Sequence, residues 1–184
     1  MGQNIYGVDI GTSNFKMCCK DKDKIINEKN IIAIANKKDI LAFGDEAYEM
    51  YEKAPEHIEV SFPVKFGVIA DIENMQTLLL RFFNKMNDDK KFTGNTDFYI
   101  AVPTDVTEVE KRAFYELVAD SKVKAKNIYI VDKPVADAIG AGLDVTKSKG
   151  IMIVNIGAET TEISVLSLGG IVISKSVKIG GNKL

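Results

Sequence analysis

The stretch Val8-Asp9-Ile10-Gly11-Thr12-Ser13-Asn14 has a related copy in Val154-Asn155-Ile156-Gly157-Ala158-Glu159-Thr160. Each stretch has the pattern of an apolar strand, a turn of small residues and the start of a second strand. The paired isoleucines and glycines share one offset of 146 residues, as the glycine numbers show (157 − 11). A fixed offset between matching strand–turn–strand units predicts an internal duplication with two turns that face each other.

Turns of this kind are candidate phosphate-binding sites. Backbone N–H groups in glycine-containing turns form small concavities that bind anions, and glycine permits a close approach of the backbone. Two facing turns therefore predict a clamp for the phosphates of a nucleotide. For either stretch taken alone, a plain hairpin turn is the alternative interpretation.

Composition limits the class of protein. The chain has 184 residues, of which 46% are hydrophobic and 27% charged, with a formal net charge of −2. These values are ordinary for a globular protein with one sizeable core or two small ones. Because the chain has no net basic charge, we expect no nucleic-acid partner. Adjacent Cys18 and Cys19 point to opposite faces of a strand, which excludes a disulfide framework and favours a cytoplasmic location.

Strand and helix patterns alternate along the chain. Helices are predicted to begin at Asp45 as N-cap, at Asp71, at Thr107 with Glu110 in a capping box, and at Pro134. The first helix is predicted to end at Pro55. Strands interleaved with helices predict an α/β architecture, a mixed sheet flanked by helices. Predicted strands cover residues 5–10, 14–19, 24–27, 31–35, 40–43, 97–102, 128–131, 151–156, 161–168 and 171–177.

Five segments carry a resemblance to a known family: residues 9–14, 67–71, 107–113, 138–145 and 167–172. The first resembles the first phosphate-binding turn of the actin-like ATPase superfamily. The other four, in collinear order, resemble MreB, the bacterial actin family that guides rod-shape wall synthesis.

The resemblance implies an actin-like (ribonuclease H-like) fold. It implies a core subdomain of lobe I at residues 1–30 and 71–148, and a small inserted subdomain at 31–70. Residues 149–184 are then expected to form the start of a truncated lobe II.

The implied function is that of a cytoskeletal filament protein in bacterial cell-shape determination. The resemblance implies ATP or ADP with magnesium as cofactors. The implied partners are further copies of the chain or other MreB subunits, and the cell-wall synthesis machinery at the inner membrane.

The first turn matches the family. The resemblance implies that Asp9 holds magnesium through a water molecule. It also implies that Gly11, Thr12, Ser13 and Asn14 face the phosphates. Lys16 stands where actin has a phosphate-binding lysine, although a solvated strand lysine is an equal alternative.

The second turn, in which Gly157, Ala158, Glu159 and Thr160 are the expected phosphate-binding residues, departs from the family. Asn155 replaces the aspartate of the family motif and loses its charge. Ala158 adds a methyl group where the motif has glycine. Glu159 adds a negative charge near the phosphates, and two like charges ~4 Å apart repel by about 4 kcal/mol at an effective dielectric of 20.

Lys133 occupies the position of the family's catalytic glutamate. An ammonium group cannot accept a proton from water or orient it as a base does. We therefore expect a partly degenerate ATP site with weak or no hydrolysis, and no catalytic residue is assigned. The opposite charges of Lys133 and Glu159 suggest a compensating ion pair across the cleft.

Two alternative functions stay open, namely an active ATP-hydrolysing MreB and a pseudo-ATPase regulator that binds true MreB filaments. Whether the chain is an enzyme is therefore undecided from sequence. Lys90-Lys91-Phe92 offers one apolar side chain beside two cations for a weak peripheral membrane contact, with a solvated loop as the alternative.

Overall fold

A computed structural model describes residues 4–20, 22–36, 38–88 and 95–183 of the chain. The strands are β1 (Asn4–Ile10), β2 (Asn14–Cys19), β3 (Lys22–Lys29), β4 (Ile32–Ala35), β5 (Asp39–Phe43), β6 (Ile58–Ser61), β7 (Val64–Lys65), β8 (Val68–Ile69), β9 (Thr96–Val102), β10 (Asn127–Asp132), β11 (Ile151–Ile156), β12 (Thr161–Ser167) and β13 (Gly170–Val177). The helices are α1 (Asp45–Met50), α2 (Ile72–Met86), α3 (Glu108–Ala119) and α4 (Lys133–Gly140), and a short 3-10 helix follows at Gly181–Lys183.

The central layer is a five-stranded mixed sheet with the strand order β10-β9-β1-β2-β3. Strands β1, β2 and β3 form an antiparallel meander, whereas β1, β9 and β10 run parallel. Parallel neighbours need crossover connections, and α3 supplies the one between β9 and β10. The mixed sheet with flanking helices confirms the predicted fold class.

Helix α2 packs its apolar face against this sheet. Its apolar residues recur at the three- and four-residue spacing that places them on one face of a helix. Six of them are buried in the main core: Met75, Leu78, Leu79, Phe82, Phe83 and Met86.

Three smaller sheets complete the described part of the chain. Strands β11, β12 and β13 form a second antiparallel meander, β5-β4-β6 form another three-stranded sheet, and β7 pairs with β8 in a hairpin. The second meander packs against α4 through a small core of Ala138, Val145 and Leu166.

The two meanders close their first turns in the same way. The N–H of Gly11 donates to the carbonyl of Asn14 (3.0 Å), and the N–H of Gly157 donates to the carbonyl of Thr160 (2.8 Å). These bonds differ by the same offset of 146 residues that the sequence showed. The repeated strand–turn–strand unit is therefore present in the fold as well as in the sequence.

The predicted start of the first helix was wrong by one residue. Gly44, with φ of 66°, is the N-cap, and Asp45 is the first helical residue. The Asp45 carboxylate accepts a hydrogen bond from the backbone N–H of Lys29 instead of capping the helix. The helix also ends at Met50, before Pro55, because Tyr51 is extended and Glu52 has a φ of 62°.

The caps predicted for the longer helices are confirmed. Asp71 accepts a hydrogen bond from the N–H of Asn74, and Thr107 forms a reciprocal capping box with Glu110. Lys90-Lys91-Phe92, the predicted membrane contact, lies outside the described residues. Within the described ranges, the helices are too short and too polar for any of them to cross a membrane.

Candidate functional site

A cleft of 720 Å³ lies between the two meanders. It is lined by the two glycine turns, by the carboxyl ends of β1 and β9, and by the start of α4. The carboxyl ends of parallel strands share one edge of a sheet, and ligands of open α/β sheets bind outside that edge. The fold therefore assembles the cleft from segments that are far apart in sequence.

The first turn is held in a tight conformation. A Cβ atom at Gly11 would lie 2.8 Å from the carbonyl oxygen of Asn14, a distance that real Cβ atoms do not adopt. The side chain of Asn30, which is fully buried, donates to the carbonyl of Gly11 (2.9 Å), and its backbone N–H donates to the carbonyl of Ser13. Asn30 thus supports the turn from behind, a role that its sequence context did not signal.

Asp9 lies at the centre of a charged cluster. Lys16 Nζ donates to Asp9 Oδ2 at 2.9 Å, and Lys133 Nζ is hydrogen-bonded to Asp9 Oδ1. Burial alone raises the pKa of Asp9, but the two ammonium groups outweigh it and lower the pKa below its ordinary value. The carboxylate is therefore ionised at neutral pH, with one ammonium on each oxygen.

The fold explains why Lys133 reaches Asp9. Strands β1, β9 and β10 are parallel, so the end of β1 and the residue after β10 lie at the same edge of the sheet. Lys133 is the first residue of α4, followed directly by Pro134. Its side chain is only 17% exposed, so it lies within the cleft rather than in solvent.

The predicted ion pair between Lys133 and Glu159 was wrong. Lys133 pairs with Asp9, and Glu159 Oε2 accepts a hydrogen bond from the backbone N–H of Phe66 at 2.6 Å. The sequence suggested that two opposite charges facing the cleft would find each other. In the structure each has a closer partner.

A hydrogen bond to α4 fixes Asn155, which lies on β11 just before the second turn. Asn155 Nδ2 donates to Asp137 Oδ2 at 2.5 Å, and burial raises the pKa of Asp137 above its ordinary value. Ala158 is not among the described residues with positive φ, so its methyl group does not strain the backbone. The added methyl group that the sequence flagged is therefore accommodated.

The tip of the β7–β8 hairpin contacts both turns. The N–H of Gly67 donates to Thr12 Oγ1 at 3.0 Å in the first turn, while the N–H of Phe66 donates to Glu159 in the second. A further link joins the second meander to the loop after β9, because Glu162 accepts hydrogen bonds from the N–H and the hydroxyl group of Thr104.

The structure brings the sequence-predicted site residues together. The cleft is lined by Asp9, Gly11, Thr12, Ser13, Asn14, Lys16, Lys133, Asn155, Gly157, Ala158 and Thr160. Glu159 contacts Phe66, which also lines it. The ligand-binding roles of these residues stay predictions.

Sequence reasoning missed Asp137, Glu162, Phe66 and Gly67. Asp137 follows Lys133 by four residues, a spacing that places both on one face of a helix and was available as a signal.

The donor set does not fit a magnesium ion as it stands. Mg²⁺ requires oxygen ligands in near-octahedral geometry, usually with one or two carboxylates. Both oxygens of Asp9 hold ammonium groups, and Asn155 directs its amide N–H to Asp137. Across the described ranges, no group of three or more His, Cys, Asp or Glu side chains is placed to hold a metal ion.

Two facing strand–turn–strand units around a deep cleft, on a mixed sheet flanked by helices, define an actin-like protein. The solved structure of MreB5 from Spiroplasma citri bound to ADP has this architecture and superimposes on the chain with a TM-score of 0.88. It is 32% identical, with 98% of this chain and 54% of that chain covered. The chain belongs to the MreB/Mbl family, whose model, described as MreB/Mbl protein, matches residues 3–184.

Curated relatives agree with the family match. The cell shape-determining protein Mbl of Bacillus subtilis is 39% identical over 178 residues, which are 96% of this chain and 53% of the relative. The cell shape-determining protein MreB of Escherichia coli K12 is 34% identical over 188 residues, covering 100% of this chain and 54% of the relative. The chain thus spans about half the length of the curated relatives it matches.

Proposed function

We propose that the chain serves in an MreB-type filament that takes part in bacterial cell-shape determination. In this proposal the cleft binds an adenine nucleotide and supports little or no ATP hydrolysis. The names of the relatives in Bacillus subtilis and Escherichia coli support the cell-shape role. The ADP bound to the Spiroplasma citri neighbour supports the choice of ligand.

The contact between Lys133 and Asp9 carries the proposal of weak hydrolysis. The attacking water in a phosphoryl transfer needs a group that accepts or orients its proton. Lys133, the side chain at the start of α4, is a cation held on Asp9 and offers only N–H donors. Binding is retained in this proposal because both glycine turns line the same cleft.

One observation favours an active ATPase as the second candidate. Asp137 lies in the cleft one helical turn after Lys133, and burial raises its pKa, as is common for a general base. Its Oδ2 accepts from Asn155, which leaves Oδ1 as the oxygen that would orient a water. If this candidate holds, Asp137→Asn abolishes hydrolysis, and the unmodified protein hydrolyses ATP efficiently.

The test compares the natural protein with a variant that restores the family motifs: Lys133→Glu, Asn155→Asp, Ala158→Gly and Glu159→Gly. Phosphate release is measured with ATP, and filament formation is measured by sedimentation. We expect slow release by the natural protein and at least about tenfold faster release by the variant, a change of roughly 1.4 kcal/mol in activation free energy.

If the natural protein releases phosphate as fast as the restored variant, this result would contradict the proposal of weak hydrolysis. Sedimentation only in the presence of another MreB would instead identify a regulator of other filaments. Sedimentation of the protein alone supports the filament role.

A further inference from the structure

A cluster of one carboxylate and two ammonium groups lies in the cleft. Lys16 and Lys133 both contact the Asp9 carboxylate, so the trio has a formal charge of +1. An ammonium group has three N–H donors. Each lysine uses one donor on Asp9, which leaves two on each for a ligand in the cleft.

The same arrangement competes with a divalent cation. A Mg²⁺ ion at Asp9 would lie beside the two ammonium groups that already contact this carboxylate, and nearby like charges repel. Three further carboxylates line the cleft, and each accepts a hydrogen bond within the protein: Asp137 from Asn155, Glu162 from Thr104, and Asp105 from the N–H of Ser176. Each of them therefore has fewer oxygen lone pairs to offer a metal ion.

We propose that this cleft binds the phosphates of a nucleoside di- or triphosphate without a divalent cation, with the Lys133 and Lys16 ammonium groups neutralising the phosphate charge. The inference rests on the proposed function, since it concerns how the nucleotide of that site is held. Charge-assisted N–H to phosphate bonds are roughly twice as strong as neutral ones. A lysine held by Asp9 is already positioned to form them.

Burial distinguishes the two lysines. The Lys133 side chain is 17% exposed and that of Lys16 is 51% exposed. Water screens a charge less as it becomes more buried. Lys133 therefore supplies the larger part of the binding, and Lys16 contributes from the rim.

The experiment is isothermal calorimetry with ATP on the full chain, in EDTA and in excess magnesium. We expect the Kd in EDTA to lie within about threefold of the Kd in magnesium, because the metal contributes little. Lys133→Met is expected to weaken binding in EDTA by about tenfold or more, and Lys16→Met by a smaller factor.

Two further variants control for folding and for net charge. Lys133→Arg keeps the positive charge, so we expect it to retain binding in EDTA. Lys122→Met removes one exposed positive charge outside the cleft and is expected to bind like the natural protein. The thermal unfolding midpoint of each variant shows whether it remains folded. If Lys133→Met does not fold, the comparison of Lys16→Met with the natural protein decides the test.

The outcomes separate the inference from the proposed function. Binding in magnesium but not in EDTA overturns metal-independent binding and leaves the nucleotide site intact. Binding in neither buffer overturns the proposed function and this inference with it. Equal binding by Lys133→Met, Lys16→Met and the natural protein in EDTA overturns the role of the two lysines.

Discussion

Glu159 Oε2 accepts a hydrogen bond from the backbone N–H of Phe66, with 2.6 Å between the two atoms. Phe66 and Gly67 have φ values of 50° and 79° and form the two-residue turn of the β7–β8 hairpin. Two consecutive positive φ values are typical of the hairpin turns that connect adjacent antiparallel strands. The same turn reaches the first meander through Thr12, so one hairpin is bonded to both sides of the cleft.

The Glu159 contact gives a first prediction. Glu159→Ala removes the acceptor of the Phe66 N–H, and we expect the free energy of unfolding to fall by about 1 kcal/mol, the typical value of one hydrogen bond. The amide of Phe66 is expected to exchange its hydrogen faster by a larger factor than the amides of α2, which change only through the loss of global stability. Glu159→Gln keeps an acceptor and serves as the control. Unchanged exchange at Phe66 in the alanine variant would show that the bond does not hold the hairpin.

Thr12 gives a second prediction about the opposite side of the hairpin. Thr12→Val keeps the shape of the side chain and removes Oγ1, the acceptor of the Gly67 N–H. We expect a loss of about 1 kcal/mol in unfolding free energy, together with faster amide exchange at Gly67, whereas Thr12→Ser retains both. If valine and serine variants behave alike, the hydroxyl group is not what positions the hairpin.

The limits of sequence reasoning follow from the range of the interactions. The apolar face of α2 depends on the spacing of nearby residues, and the strand–turn–strand repeat depends on a shared offset. Both could therefore be predicted from the sequence. The partners of Glu159 could not be predicted, because it bonds to a backbone N–H 93 positions away. Every residue except proline has a backbone N–H, so the residue types do not indicate which one Glu159 binds. The positive charge of Lys133, in contrast, is apparent from the sequence.

The candidate functional site shows the same difference between local patterns, which the sequence reveals, and long-range contacts, which it does not. The residues that form each turn could be recognised in the sequence, and in the structure both turns line one cleft. The pairing of Lys133 with Asp9 depends on β1, β9 and β10 being parallel neighbours. Strand order is a global property of the fold, so charge pattern alone led to the wrong partner for Lys133.

The ion pair between Lys133 and Asp9 gives a third prediction, a measurable coupling energy. In a double-mutant cycle with Lys133→Met and Asp9→Asn, we expect the double variant to lose less stability than the sum of the single variants, by about 1–3 kcal/mol. Both side chains are mostly buried, at 17% and 24% exposed, so solvent screening is limited. The measurement is urea unfolding at neutral pH.

The matched cycle uses Lys16→Met with Asp9→Asn. Lys16 is half exposed, so its coupling to Asp9 is expected to be smaller. Equal coupling energies in the two cycles would contradict the ranking of the two lysines.

Tyr6 gives a fourth prediction, which concerns pH. Burial, the first cause, raises the pKa of the fully buried Tyr6 to about 12, although the hydrogen bond to Asn87 acts in the opposite direction. The raised pKa means that the folded state holds the proton more tightly than the unfolded chain, in which tyrosine titrates near about 10. The contribution of this proton to stability is therefore complete below pH ~10 and is lost as the pH rises from about 10 to about 12.

The matched variant for this prediction is Tyr6→Phe, which has no hydroxyl group to titrate. We expect its unfolding free energy to fall less steeply than that of the natural protein between pH ~10 and pH ~12. All other titratable groups are common to the two proteins, so the difference between the two curves isolates Tyr6. Parallel curves would mean that the Tyr6 pKa is not raised.

Gly180 gives the last prediction, on how the second turn is supported. The N–H groups of Gly181 and Asn182 donate to the carbonyls of Gly157 and Ala158, each at 2.8 Å. A Cβ atom at Gly180 would lie 2.6 Å from the carbonyl carbon of Ala158 and from the carbonyl oxygen of Gly157, so the backbone has to move apart. Since overpacking of this kind typically costs about 1–3 kcal/mol, we expect Gly180→Ala to lower the unfolding free energy by that amount. Its ATP affinity is expected to fall as well, because the displaced turn lines the cleft.

Gly170→Ala is the matched control for this prediction. A Cβ atom at Gly170 would lie 3.9 Å from its nearest neighbour, so both the unfolding free energy and the ATP affinity should be preserved. If a folded Gly180→Ala variant binds ATP as tightly as the natural protein, ATP binding does not depend on this support, and the first turn together with Lys16 and Lys133 is sufficient to bind the phosphates.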